Sequence, residues 1–90
     1  MENYSYEPVP PRIGGAMVIH YIRMPEPDVY RVQNLAIATY EGEGEYYLFE
    51  CDEVWEIMKE SEYTSADAAI EEASKRYDLR GYQWDYKKDD

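Results

Sequence analysis

A chain of ninety residues makes one domain with a thin core, because a domain this small buries only roughly 60–65% of its unfolded surface. Twenty acids against nine bases leave a net charge of −11, which argues against the phosphate neutralisation that drives nucleic-acid binding and against the attraction to anionic lipid. One cysteine, Cys51, excludes an internal disulfide framework and a multi-cysteine metal site. No stretch approaches the ~18 apolar residues of a membrane span. Residues 1–11 lack the basic-then-apolar order of a secretory signal, so a reducing cytoplasm is the expected location.

Residues 1–15 read as an extended arm, since Pro8, Pro10, Pro11 and Gly14-Gly15 disfavour helix and central strand. Residues 16–86 read as a single α+β domain and 87–90 as a tail. Residues 16–24 are β-branched and aromatic enough for a strand, ended by Pro25-Glu26-Pro27-Asp28. Residues 30–40 resume as a second strand, and Glu41-Gly42-Glu43-Gly44-Glu45 is a turn. Residues 46–51 make a third strand. Residues 55–63 fit either a helix or a strand by spacing.

Register favours the strand. With loops at 25–29, 41–45 and 52–54, Ile19 faces Leu35, Met17 faces Ile37, Ile37 faces Phe49 and Phe49 faces Ile57. Leu35 likewise meets Cys51, which meets Trp55. One apolar face results, and the expected architecture is an antiparallel four-stranded β-meander with one helix packed on it. The helix starts at Ser65, a good N-cap, with Asp67 near its positive end and Lys75-Arg76 near its negative end. Ala66, Ala69, Ile70, Ala73 and Tyr77 recur at helical spacing, and Asp67, Glu71, Glu72, Lys75 and Arg76 are expected to face out. Gly81 ends this region, and Tyr82, Trp84 and Tyr86 alternate as in an extended aromatic segment.

The same register leaves a second face: Val18, His20, Ile22, Val32, Ala36, Ala38, Tyr46, Leu48, Val54 and Met58, bordered by Glu50, Glu56 and Glu60. Contiguous apolar surface of this kind is uncommon on monomers. Its cover is either the chain itself, a second copy or another protein. Residues 41–62 hold nine acids and one base, Lys59, so that segment carries −8 and the rest −3. Such charge serves either solubility or the attraction of a basic partner. Tyr46, Glu50, Glu56, Met58 and Glu60 are the expected partner contacts.

No residue pattern spells an enzyme. His20 is the single histidine and is expected opposite Asn34, flanked by apolar groups. Cys51 falls on the core face, where a thiol is a small hydrophobe and not a nucleophile. Glu41, Glu43 and Glu45 lack the spacing of a calcium loop, and neither glycine pair has the Lys and helix of a phosphate loop. No cofactor, metal site, direct nucleic-acid contact or membrane contact is expected.

Tyr47-Leu48-Phe49-Glu50-Cys51-Asp52 followed by Trp55, Tyr63, Ser65, Ala69, Ala73 and Trp84 resembles small acidic bacterial and phage proteins in which a β-meander precedes a helix and an aromatic tail. Some of those are toxin-immunity proteins. The resemblance covers roughly the last half of the chain and implies a binding protein that occludes a basic surface; it transfers no site residue. The alternative expectation is an accessory or structural module, as a monomer or a homodimer, whose charge serves solubility only. A small-molecule or metal-binding domain is a third.

Overall fold

The computed structural model describes residues 8–24, 30–80 and 82–86. The chain forms a small α+β domain in which an antiparallel sheet carries one helix. The strands are β1 (Arg12–Ile13), β2 (Ala16–Arg23), β3 (Asn34–Thr39), β4 (Tyr46–Cys51), β5 (Ile57–Tyr63) and, after helix α1 (Ala66–Arg76), β6 (Asp85–Tyr86). The sheet runs β1-β2-β3-β4-β5, with β6 on β2, and is curled into a half-barrel. The meander therefore has five strands and not four. The extra one lies in residues 1–15, where Gly14 and Gly15 take φ of 59° and 86°. That left-handed pair is the two-residue turn whose twist matches its flanking strands, and it pairs Ile13 with Ala16. Val9 and Ile13 are buried, so this part of the expected arm belongs to the core. The remaining arm residues 1–7, the break at 25–28, Gly81 and the tail at 87–90 lie outside the described residues.

Residues 57–63 are strand, the favoured of the two expectations, although Ile57 lies opposite Cys51 and Phe49 opposite Glu60, not in the register offered for it, and the helix begins as expected. The Ser65 hydroxyl accepts from the Ala68 N–H at 3.0 Å, Asp67 lies in the first turn, and Ala69 and Ala73 are fully buried. These small side chains let the helix sit close to the sheet.

The pairing itself differs from expectation. Ile37 lies opposite Leu48 and Phe49 opposite Ala36, one position away from the Ile37–Phe49 pairing. A one-residue slip moves every side chain to the other face, so Ile37 and Phe49 point away from each other. The turn takes in Tyr40, so that Thr39 and not Tyr40 lies opposite Tyr46. Tyr40 leaves the ladder, donates its hydroxyl to the Gly14 carbonyl at 2.9 Å and packs edge-on against Tyr47, while the Thr39 hydroxyl donates to the Glu45 carbonyl.

Two bulges complete the change. Between Val18 and His20 the register shifts, leaving Ile19 extra. Ala16 and Val18 consequently join one core cluster and Ile22 the other, although all three are even-numbered. The second shift leaves Met58 extra on β5, with Glu50 opposite Lys59 and Cys51 opposite Ile57. Bulges bend strands and deepen twist, which suits the curled shape. His20 lies opposite Ile37 and Tyr86, and not opposite Asn34.

Both faces of the sheet are oily, but with other members than expected. Leu35, Ile37, Leu48, Ile22 and Val32 pack with Ala69 and Ala73 on the helix side. Ala36, Ala38, Phe49, Cys51, Ala16 and Val18 pack on the other side with Val9, Ile13 and Trp55. The second face is thus closed by the chain itself, the first of the three covers expected for it, although several of the residues on it are not the ones expected. Of the expected members, Val54 and Met58 are the large hydrophobics left exposed.

Candidate functional site: the β4–β5 hairpin and the groove beside it

The loop joining β4 to β5 is longer than the expected 52–54, because Asp52 organises it through residue 56. Its carboxylate accepts from the N–H groups of Val54 at 3.0 Å and Glu56 at 2.9 Å, and its carbonyl accepts from the Trp55 N–H. Asp side chains commonly fold turns this way. The loop turns Trp55 back under the sheet with φ of 68°, a conformation that costs an L-residue about 1–2 kcal/mol. Trp55 is 5% exposed, meets Tyr21 edge-on at 6.1 Å, and lies under the Arg23 guanidinium at 5.7 Å. It caps the barrel side and is not a strand residue in line with Cys51.

The expected contact residues divide. Glu56, Met58 and Glu60 are exposed and Tyr46 is half-buried. Glu50 is 3% exposed and engaged internally. One oxygen accepts from Arg76 Nη1 at 2.6 Å and the other from the Tyr77 hydroxyl at 2.5 Å. A carboxylate taken from water needs such partners, since an unpaired buried charge costs several kcal/mol. Arg76 also reaches Glu72 at 3.1 Å, Ser61 at 3.4 Å and the Tyr63 hydroxyl at 3.4 Å, so it ties the helix end to β4 and β5. Partial burial pulls its guanidinium down, but the carboxylates of Glu50 and Glu72 outweigh that and hold it above its ordinary value. Arg76 therefore folds back onto the sheet, where the sequence suggested an outward base. The signal was present: an acid between Phe49 and Cys51 in an apolar strand requires a cation, and the helix end supplies one.

Beside this pair lies an open groove of about 490 Å³ bordered by Tyr30, Val32, Met58, Lys59 and Tyr77, with Glu50 and Arg76 in its wall. The structure thus brings Glu50 and Met58 to one groove and leaves Tyr46, Glu56 and Glu60 off its lining.

The acids of residues 41–62 surround the hairpin. Glu41, Glu43, Glu53, Glu56, Glu60 and Glu62 are all exposed. Among the described residues, no ion pair or hydrogen bond engages their carboxylates. Their field is felt at Tyr47. Partial burial, then Glu62, Glu43 and Glu45, push its phenol above the ordinary value.

Cys51 is buried, and burial, followed by Asp52 and Glu50, pushes its thiol up to about 12. It is protonated at neutral pH and shielded from reagents. Among the described residues no group of three or more His, Cys, Asp or Glu side chains is set to hold a metal ion, and no helix is long and apolar enough to cross a membrane.

The fold and hairpin together define an antiparallel half-barrel with a helical cap and an acidic hairpin edge. No family model, curated protein or solved structure matches the chain.

Proposed function

We propose that this chain is a small, acidic, non-catalytic protein-binding domain that engages a partner with a basic surface, as an inhibitor or immunity-type protein does when it masks such a surface. The supporting observation is the set of exposed, unengaged carboxylates along the β4–β5 hairpin and its flanking turns, among which Lys59 is the one base in residues 41–62. Charge of this density speeds encounter with an opposite surface and repels acidic competitors. The expected apolar contact face no longer contributes, so the reading rests on electrostatics. Glu56 and Glu60 keep their role as contacts. Glu50 acts from behind, by holding β4 and the helix end together.

The covering of both sheet faces favours a second reading, a monomeric accessory module whose charge serves solubility alone. Capture from native lysate at low and high salt separates the two. Under the first, a basic protein is retained at low salt and released at high salt. The triple variant Glu56→Gln, Glu60→Gln, Glu62→Gln then slows association on the order of tenfold and flattens its salt dependence. Equal retention by the variant, or no basic protein retained, leaves the second reading.

A further inference from the structure

The free side of β5 is the strongest unassigned feature. Among the described residues, this strand closes the five-strand path and pairs on one side only, with β4. Apart from that ladder, the hydrogen bonds of Ile57–Tyr63 run from Arg76 to the Ser61 and Tyr63 side chains. Among the described residues, one row of its backbone N–H and C=O groups is therefore open. Such a row is a template for another strand, and β-strand addition is a recurring way to bind an extended segment.

The side chains along this edge specify the occupant. Glu60 lies opposite Phe49 and Glu62 opposite Tyr47, so both acids project from the sheet face away from the helix, and both are exposed. Lys59 stands opposite Glu50, on the helix face. A strand added to β5 would set its own side chains roughly 4.5–5.5 Å from these, Cβ to Cβ, alternating between the faces. We infer that the free edge of β5 takes an extended segment of a basic protein as an added strand, with Lys or Arg side chains two residues apart set against Glu60 and Glu62.

A second copy of this chain fits badly. Antiparallel self-pairing centred on Ser61 sets each Glu60 against a Glu62, and parallel self-pairing stacks like on like. Acid opposite acid destabilises a sheet pair. The bulge at Met58 and the neighbouring Lys59 confine the accepting edge to residues 60–63. In these registers the charge at Glu60 and Glu62 disfavours a second copy and suits an alternating basic strand.

This inference rests on the proposed basic partner and specifies how that partner binds. Its test uses the full chain and three acetylated, amidated peptides: one alternating Lys with Thr, one of the same composition with the lysines in a block, and the alternating one N-methylated along one edge. The alternating peptide should bind at least tenfold more tightly than either of the others. It should shift the amide resonances of residues 59–63 and slow their hydrogen exchange. The Glu60→Gln, Glu62→Gln variant should lose that preference while keeping its folded spectrum. Equal affinity for the three peptides, shifts confined to residues 41–45, or no binding would overturn strand addition. Those outcomes leave the basic-partner reading standing, because that reading falls only with the lysate capture. Concentration-dependent self-association that slows exchange in residues 59–63 would overturn the inference in favour of a second copy.

Discussion

On the helix side of the sheet, Ala69 and Ala73 bring a regular element close to Leu35, Ile37 and Leu48, and one ion pair, Glu50 with Arg76, fixes its end. On the other side no helix lies among the described residues, and the cover is assembled from Trp55 in a left-handed conformation, from Val9 and Ile13, and from the rings of Tyr21, Tyr40 and Tyr47. A helix covers a face with many small contacts. An irregular cover concentrates the same task in a few large side chains. The barrel side should therefore be the more sensitive to single substitutions, and the helix side to loss of its polar tie.

Trp55→Ala should have the largest effect. Deleting a buried Trp typically costs about 3–5 kcal/mol, a large share of the stability of a small domain, and urea unfolding should show a lowered midpoint or a loss of cooperativity. A midpoint shift no greater than that of an exposed substitution would remove the contrast between the faces. Arg76→Ala comes next. It leaves the Glu50 carboxylate buried with Tyr77 as its remaining strong partner, and should cost about 2–3 kcal/mol, reduced from the fully buried case because Arg76 is partly exposed. The same urea titration checks it.

Gly15→Ala should cost about 1–2 kcal/mol, because φ of 86° strains any residue with a Cβ whatever the space around it. The new methyl would also meet the Tyr40 ring at 3.5 Å. That change should loosen the β1–β2 turn while leaving the helix side intact, visible as selective loss of hydrogen-exchange protection in β1 and β2.

The smallest effect concerns pH. Cys51 has its folded pKa raised from 9.0 to about 12. Its contribution to stability is present in full below about 9 and is lost as pH rises from there through the folded value. At pH 10 the loss is on the order of 1 kcal/mol. Comparing the pH 8–10 slope of stability in the native chain and in Cys51→Ala isolates this group from the tyrosines. The native thiol should also resist alkylation until the chain is unfolded.

How much of this was legible beforehand follows from which interactions are local. The helix was, since its cap, its charges and its Ala spacing are all written within residues 65–76. The strand identity of Ile57–Tyr63 was legible only as one of two readings of its spacing, since the register that favoured it, with Phe49 opposite Ile57, is not the one formed. Register was not, because it turned on one long-range contact, Tyr40 leaving the ladder for Gly14, and on two local irregularities that alternation alone does not announce, the extra residue at Ile19 and the Asp52 loop that turns Trp55 under the sheet. Each shifts the count by one or two residues, and alternation then reverses the faces. The density of acid on the hairpin was legible. The burial of Glu50 was signalled by an acid inside an apolar strand, but the identity of its cation, Arg76, far along the chain, was not.

The central claim is that one sheet buries both of its faces within the chain, leaving charge and a strand edge for contact. Cross-strand nuclear Overhauser effects between β3 and β4 test it most directly. Ile37 should show its close cross-strand contacts to Leu48 and Ala36 to Phe49, with ring contacts between Tyr21 and Trp55. Contacts joining Ile37 to Phe49 across the strands, with no ring contact at Trp55, would restore the uncovered oily face and contradict the account.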